Sequence, residues 1–317
     1  MNDAATMVME KPPGERARDA AVQWLGRFET ALTAGDLSGL AALFASECHY
    51  RDMLAFSWTI RPFLGAEAIA DFLAAAQKAT QARSFALAEG RTPPRVVRRL
   101  GIEVHEAIFR FETETGRGFG VVRLPTATPA QAWVLMTSLD ELKRHEERIG
   151  PRRPSGDAYS RNFGGLNWLD QRNKARAYDD RDPEVLVVGG GQNGLAVAAC
   201  LGQLDIDTLV VDKLPRIGDN WRVRYHSLAL HNQIQVNHLP YMPFPPTWPK
   251  YIPKDMLGNW LEMYAEAMQL NCWSNTEFAG GSYDDATGRW TARLRMADGT
   301  ERVMHPRHII LSNGTNG

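Results

Sequence analysis

The sequence has only three cysteines, Cys48, Cys200 and Cys272, and they stand far apart. That excludes a disulfide framework, and no pair has the spacing of a zinc site. Long apolar runs are missing as well: no stretch reaches the roughly 18 consecutive apolar residues of a membrane-spanning helix. Charge of one sign is not in excess. With 36 basic and 37 acidic residues the formal net charge is -1, which offers no bulk attraction to nucleic acid or to an anionic membrane. The opening MNDAATMVMEKPPGERARDA lacks the apolar centre of a signal peptide, and it carries Asp3, Glu10 and Glu15, which a transit peptide avoids. A reducing, cytoplasmic setting is therefore expected, without nucleic-acid or membrane partners. No nucleophile-elbow serine, metalloprotease helix or recognisable pair of catalytic carboxylates occurs, so no catalytic residue is assigned.

What is present divides along the 317 residues into two domain-sized parts. Residues 1–17 are expected to be disordered. In AAVQWLGRFETALTAGD, Val22, Leu25, Phe28 and Leu32 recur at helical spacing, and Asp36 is placed to cap a second short helix. HYRDML and FSWTIRPFLG read as short extended pieces. AEAIADFLAAAQKA is a third helix with Ile69, Phe72 and Leu73 on one side. EVHEAIFRFET, GFGVVRLPT and QAWVLMTSL are strands, the first two joined through the turn signal ETGRG. Helices followed by antiparallel strands imply an α+β fold for residues 18–140. Residues 141–183, dense in charge, Gly and Pro, read as a linker, with Trp168 and Leu169 as its anchors.

The element order, with ALTAGDLSGLAALFASECHYRDMLAFSWTIRPFLGAEAI, resembles the cone-shaped fold of the nuclear-transport-factor-like and polyketide-cyclase-like superfamily. That resemblance implies a pocket between a curved sheet and its helices, with His49, Asp52 and Trp58 as lining candidates. An Asp beside a His in such a cavity is a possible general base for isomerase- or hydrolase-like chemistry. The alternative is that these residues are strand-end polar groups and core packing, in a domain kept for association or shape. The resemblance also implies a homodimer through this domain.

Residues 184–317 carry the most specific signal. Val185 to Val188 form an apolar run suited to a strand buried on both faces, and Gly189, Gly191 and Gly194 complete G-x-G-x-x-G at the start of a small-residue helix. The first glycine serves a tight turn, the second a close approach of backbone to a pyrophosphate, and the third helix-to-strand packing. Gln192 and Asn193 lie between them, where the helix N-terminus offers free N–H groups to phosphate. The next strand, TLVVDK, ends in Asp212, about 20 residues on, where an acid holds ribose hydroxyls and disfavours a 2'-phosphate. A Rossmann-type site for FAD or NAD is the expectation. The histidines His226, His231 and His238 lack the acids or thiolates that would complete a metal shell.

The segments IGDNW, RY.SL.LH and LPYMPFP..WP.Y.PKD resemble the flavin-containing monooxygenase family, in the branch of the plant-type indole-pyruvate monooxygenases, from about Pro183 to Gly317. The resemblance implies FAD as cofactor. It places Asp212 and Lys213 at the FAD ribose, Trp221 and Arg222 beside the flavin, and His231 with Asn232 in the loop near the isoalloxazine. Where the family has an Ala-Thr-Gly contact, this chain has Ser312, Asn313 and Gly314. The implied reaction is reduction of FAD by NADPH, reaction of the reduced flavin with dioxygen, and transfer of one oxygen atom to a small organic substrate. The family's second G-x-G-x-x-G, which holds NADPH, is not found in these residues. A truncated flavoprotein is therefore expected, inactive or incomplete as this chain, with a non-catalytic FAD-binding fragment as the alternative.

Overall fold

Helix α1 (Pro13–Ala34) opens with Pro at its first position and Glu15 in its first turn, both favourable at a helix N-terminus. The computed structural model describes residues 11–156, 159 and 164–314. The segment expected to be disordered thus falls partly outside the described residues, and its last part is helical: Ala17 is fully buried. The buried stripe of α1 runs through Ala21, Trp24, Leu25, Phe28 and Leu32, while Val22, expected on it, is 50% exposed. The stripe is centred one residue further round than the sequence spacing suggested. Gly35, at φ +65°, ends the helix, and the Asp36 carboxylate accepts from Gly39 N to start α2 (Leu37–Ala41).

These residues belong to the first of two compact units, 1–146 and 147–317. In the first, β1 (Phe44–Met53), β2 (Ile60–Leu64), α3 (Ala66–Thr80), β3 (Arg83–Leu87), β4 (Arg95–Arg99), β5 (Ile102–Glu112), β6 (Gly116–Pro125) and β7 (Ala132–Leu142) follow in sequence. The strands form one sheet in the order β2-β1-β7-β6-β5-β3, with β4 also paired to β5. All pairs are antiparallel except β1 with β7. The core joins Trp24, Leu25 and Phe28 of α1 and Ile69 and Leu73 of α3 to inward residues Tyr50, Phe109, Phe111, Val122 and Leu135. Strands β3 and β4 were not read from the sequence.

The segment expected to be a linker contributes to the second unit. A turn of 3-10 helix spans Gly150–Arg152, and α4 (Trp168–Ala177) begins in a capping box in which Asn167 and Asp170 satisfy each other's backbone N–H. Of the expected anchors, Leu169 is 55% exposed, whereas Trp168, 41% exposed, donates through Nε1 to Gln269 Oε1 at 3.2 Å. Fixing falls also to Arg172, which donates to Asn271 Oδ1 at 2.8 Å, and to the fully packed Tyr178, whose hydroxyl donates to Asp207 at 2.7 Å. A polar helix held by side-chain hydrogen bonds has no apolar period to reveal it.

The second unit is built on a four-stranded parallel sheet in the order β10-β9-β8-β14, formed by β8 (Val185–Val188), β9 (Thr208–Val211), β10 (Asn271–Trp273) and β14 (His308–Leu311). Helix α5 (Gln192–Gln203) connects β8 to β9. The short α6 (Asp219–Arg222), α7 (Lys254–Ala267) and the antiparallel meander β11 (Glu277–Asp284), β12 (Arg289–Arg295) and β13 (Glu301–Met304) complete it. Val185, Leu186 and Val187 are buried, as a central parallel strand requires. No helix among the described residues is long and apolar enough to cross a membrane.

Candidate functional site

The polypeptide turns from β8 into α5 through Gly189, whose φ of +107° is open to glycine alone, and a Cβ there would lie 2.6 Å from Ser312 O. Gly194 sits so close beneath that turn that a Cβ would meet Gly189 O at 1.9 Å. These contacts bring the N-terminus of α5 against the ends of β8 and β14. Gln192, Asn193 and Gly194 then present N–H groups that precede the first intrahelical bond, from Leu195 N to Gly191 O. Gly191 has its missing side chain directed at Asn220: a Cβ would come within 3.1 Å of Asn220 Nδ2.

Asp212 closes the other side. Its Oδ2 accepts from Gly190 N at 2.7 Å and its Oδ1 from Leu214 N at 2.8 Å, so the carboxylate ties the end of β9 to the glycine turn. Those bonds use part of its accepting capacity and fix the direction of the rest. Around them opens a cavity of about 760 Å³, within the roughly 300–1,000 Å³ of small-molecule sites. Gly189, Gly191, Gln192, Asn193, Asp212, Lys213 and Trp221, all expected from the sequence, line it together. Ser312, Asn313 and Gly314 form its wall where β14 ends, so the departure in sequence at this turn leaves the turn at the cavity.

Four expected residues stand elsewhere. Gly194 acts from beneath, through packing. Arg222 bonds with Asp219, Asn259 and Glu262, at 2.7 Å to Asp219 and 2.8 Å to Glu262, and its Nη1 also donates to Ile217 O. Its guanidinium thus fastens α6 to α7 and is not part of the cavity lining. His231 and Asn232 are exposed and likewise outside that lining.

Sequence reasoning missed two contributors. Arg224 lines the cavity, its guanidinium 5.7 Å from the centroid of the Trp221 ring, while Trp221 Nε1 donates to Gln192 Oε1 at 3.1 Å. Asn220 also lines it, and its Oδ1 is buried with no partner among the described residues. Both lie in or beside IGDNW, but nothing in the motif distinguishes the inward residues from Arg222 between them. The cavity therefore joins a helix N-terminus and two cations, Lys213 and Arg224, to two carboxylates, Asp212, fixed by backbone N–H groups, and Glu277, paired with Arg295.

The residues proposed for the first unit do not assemble. Asp52 is fully buried, and its carboxylate accepts from the backbone N–H of Ala55, Phe56 and Ser57 and from the hydroxyls of Ser57 and Thr137. It is the hub of a turn. His49 is exposed and Trp58 is 69% exposed, so neither faces Asp52 across a pocket. Of the histidines near α6, His238 accepts from Phe244 N through Nδ1.

No family model matches the chain. Over 135 residues it is 34% identical to an indole-3-pyruvate monooxygenase, YUCCA1, of Oryza sativa subsp. japonica, covering 42% of this chain and 32% of that protein. A probable indole-3-pyruvate monooxygenase, YUCCA4, of Arabidopsis thaliana is 33% identical over the same length, 42% of this chain and 32% of that one. Over that stretch the chain is related to flavin-dependent monooxygenases. It spans about a third of the length of these curated relatives. Among solved structures, a flavin-containing monooxygenase from Stenotrophomonas maltophilia aligns at 22% identity with a TM-score of 0.38, over 42% of this chain and 38% of that one. The bacillithiol disulfide reductase Bdr from Staphylococcus aureus aligns at 16% identity and a TM-score of 0.38, over 42% and 39%.

Proposed function

We propose that the second unit binds FAD in the cavity between the glycine turn, Asp212 and Asn220, and that it is the flavin-holding part of a monooxygenase acting on a small organic substrate. The observation that carries this reading is the cradle: a backbone turn with no side chain at Gly191, facing Asn220 Nδ2 and followed by the N–H groups of Gln192 and Asn193, while the buried Asn220 Oδ1, an acceptor with no partner among the described residues, suits a ligand hydroxyl or N–H. A pyrophosphate suits such a cradle, since N–H groups and a helix dipole replace its water. Asp212 would accept from ribose hydroxyls, and its charge opposes a 2'-phosphate. Lys213 and Arg224 offset the negative charge of the bridge, and Trp221 gives an apolar wall. FAD, when bound, supplies electron transfer and oxygen activation; the protein supplies position and shelter from water.

On this reading these residues hold FAD but leave NADPH unoxidised, because they carry a single dinucleotide fingerprint. An absorption spectrum of the purified protein after incubation with FAD and gel filtration tests it. A band near 450 nm, about where oxidised protein-bound flavins absorb, is expected. A colourless protein would remove the assignment, and NADPH consumption would show a hydride site within these residues. The first unit is proposed to have the cone-shaped fold, supported by α1 and α3 sharing one core with the inward residues of the seven-stranded sheet. Pairing of two copies through the other sheet face is supported by Ile60 and Leu64, 63% and 67% exposed on β2. A cytoplasmic location is supported by three free cysteines.

A further inference from the structure

The first unit has an unmet polar group of its own. His105 lies on β5, paired in register with Leu124 of β6 and Val96 of β4, and so points to the face that α1 covers. It is only 7% exposed, and its Nδ1 is buried with no hydrogen-bond partner among the described residues. Burial first, and then the charge of Arg16, hold the imidazole below its usual pKa, so at neutral pH it is an uncharged ring with one donor and one acceptor. A buried polar atom left unpaired costs stability, and that cost calls for an explanation.

The explanation lies beside it. His105 lines a cleft of about 340 Å³ whose other walls are the Ala20, Trp24 and Arg27 side of α1 and Pro129 in the connection between β6 and β7. Ala20, Trp24 and Pro129 give it apolar surface. Arg16 and Arg27, eleven residues apart on α1, also line it. Arg27 has no ion pair among the described residues, whereas the acid of the cleft, Asp19, is already paired with Lys11 at 2.5 Å. Arg27 therefore brings a positive charge to an apolar floor, with a neutral imidazole set into it. None of these residues coincides with His49, Asp52 or Trp58.

We propose that this cleft is a binding site for a small monocarboxylate with an apolar body, its carboxylate accepting from His105 and drawn by Arg27, its body lying on Trp24 and Pro129. The site is separate from the nucleotide cavity and does not depend on the flavin reading.

The test is isothermal titration of the whole 317-residue protein with 3-phenylpropanoate, alongside acetate and 3-phenylpropanol. Saturable binding of 3-phenylpropanoate is expected, with both comparison compounds at least tenfold weaker. His105→Phe should weaken it about tenfold or more, and Arg27→Gln about threefold. A second measurement separates a ligand site from a packing role. Without ligand, His105→Phe should melt higher by a few degrees, about 2–8 °C, because an unpaired buried polar group is removed, whereas a histidine needed for the fold would give a lower Tm. The proposal fails if 3-phenylpropanoate does not saturate, if acetate or the alcohol binds as well, if both variants bind as the parent does, or if His105→Phe lowers the Tm.

Discussion

Two glycines three residues apart, Gly191 and Gly194, show how a single methyl group separates folding from binding. At Gly194 a Cβ meets a backbone carbonyl at 1.9 Å, and neither partner is a flexible side chain. Gly194→Ala should therefore destabilise the second unit by about 3 kcal/mol, in the upper range of overpacking effects, read as a lower urea midpoint. At Gly191 the neighbour is Asn220 Nδ2 at 3.1 Å, the end of a side chain that can shift. Gly191→Ala should leave the urea midpoint nearly unchanged and weaken FAD about tenfold or more in a fluorescence titration, since the methyl fills the proposed cradle. Equal losses of stability in the two variants would remove the distinction. Asp52 is the comparable residue of the first unit. With three backbone N–H groups and two hydroxyls on one carboxylate, Asp52→Asn turns an acceptor into a donor against donors. A cost of about 2–4 kcal/mol is expected from chemical denaturation, larger than that of a surface change. Asp52 reads in the sequence as a pocket-lining candidate or a strand-end polar group, but its task is not legible there: nothing in the sequence signals that five donors converge on it.

Elements that carry their own pattern were legible, and those defined by partners were not. The β8–α5–β9 unit announces itself because an apolar run, a glycine turn and a small-residue helix follow in register. Strand β4, RVVRR, has the opposite character: Arg95 and Arg99 are across from the acid that explains them. Glu106 on β5 accepts from both at 2.8 Å, and from Arg123 of β6 at 2.8 Å. The hydrogen bond from Arg99, with those from Arg95 and Arg123, outweighs the effect of burial and brings the Glu106 pKa from 4.5 down to about 2. A lowered folded-state pKa gives stability that is fully present above about pH 4.5 and disappears as the pH falls toward 2. Discounted for the partial exposure of the arginines, the contribution is about 2 kcal/mol. Glu106→Gln should therefore lose stability at pH 7 and show a flatter decline between pH 4.5 and 2.5 in pH-dependent denaturation than the parent does. Parallel declines would mean that another acid governs this window. Helix α4 was hidden for the same reason as β4. Its fixing points, Asn271 and Asp207, lie far along the chain.

At the scale of the molecule the chain carries separate cores, one formed by the helices and sheet of the first unit and others by α5, α7 and the parallel sheet of the second. A ligand that binds only the folded form stabilises the part it touches by RT ln(1 + [L]/Kd), about 2.7 kcal/mol at a hundredfold excess over Kd. The residues around the proposed FAD site come from four separated stretches, 188–193, 211–214, 220–224 and 276–278, with 311–314 closing the wall. Bound FAD would tie these stretches together, so their amides should open less often. Hydrogen exchange with and without FAD should then show protection gathered in these segments, including the N–H groups of Gln192 and Asn193. The amides of Asp52, Ala55 and Phe56, in the core of the first unit, should change far less. Protection centred on α1 or β5 would place the ligand in the first unit and move the nucleotide assignment away from the glycine turn, which makes the experiment decisive between the two cavities.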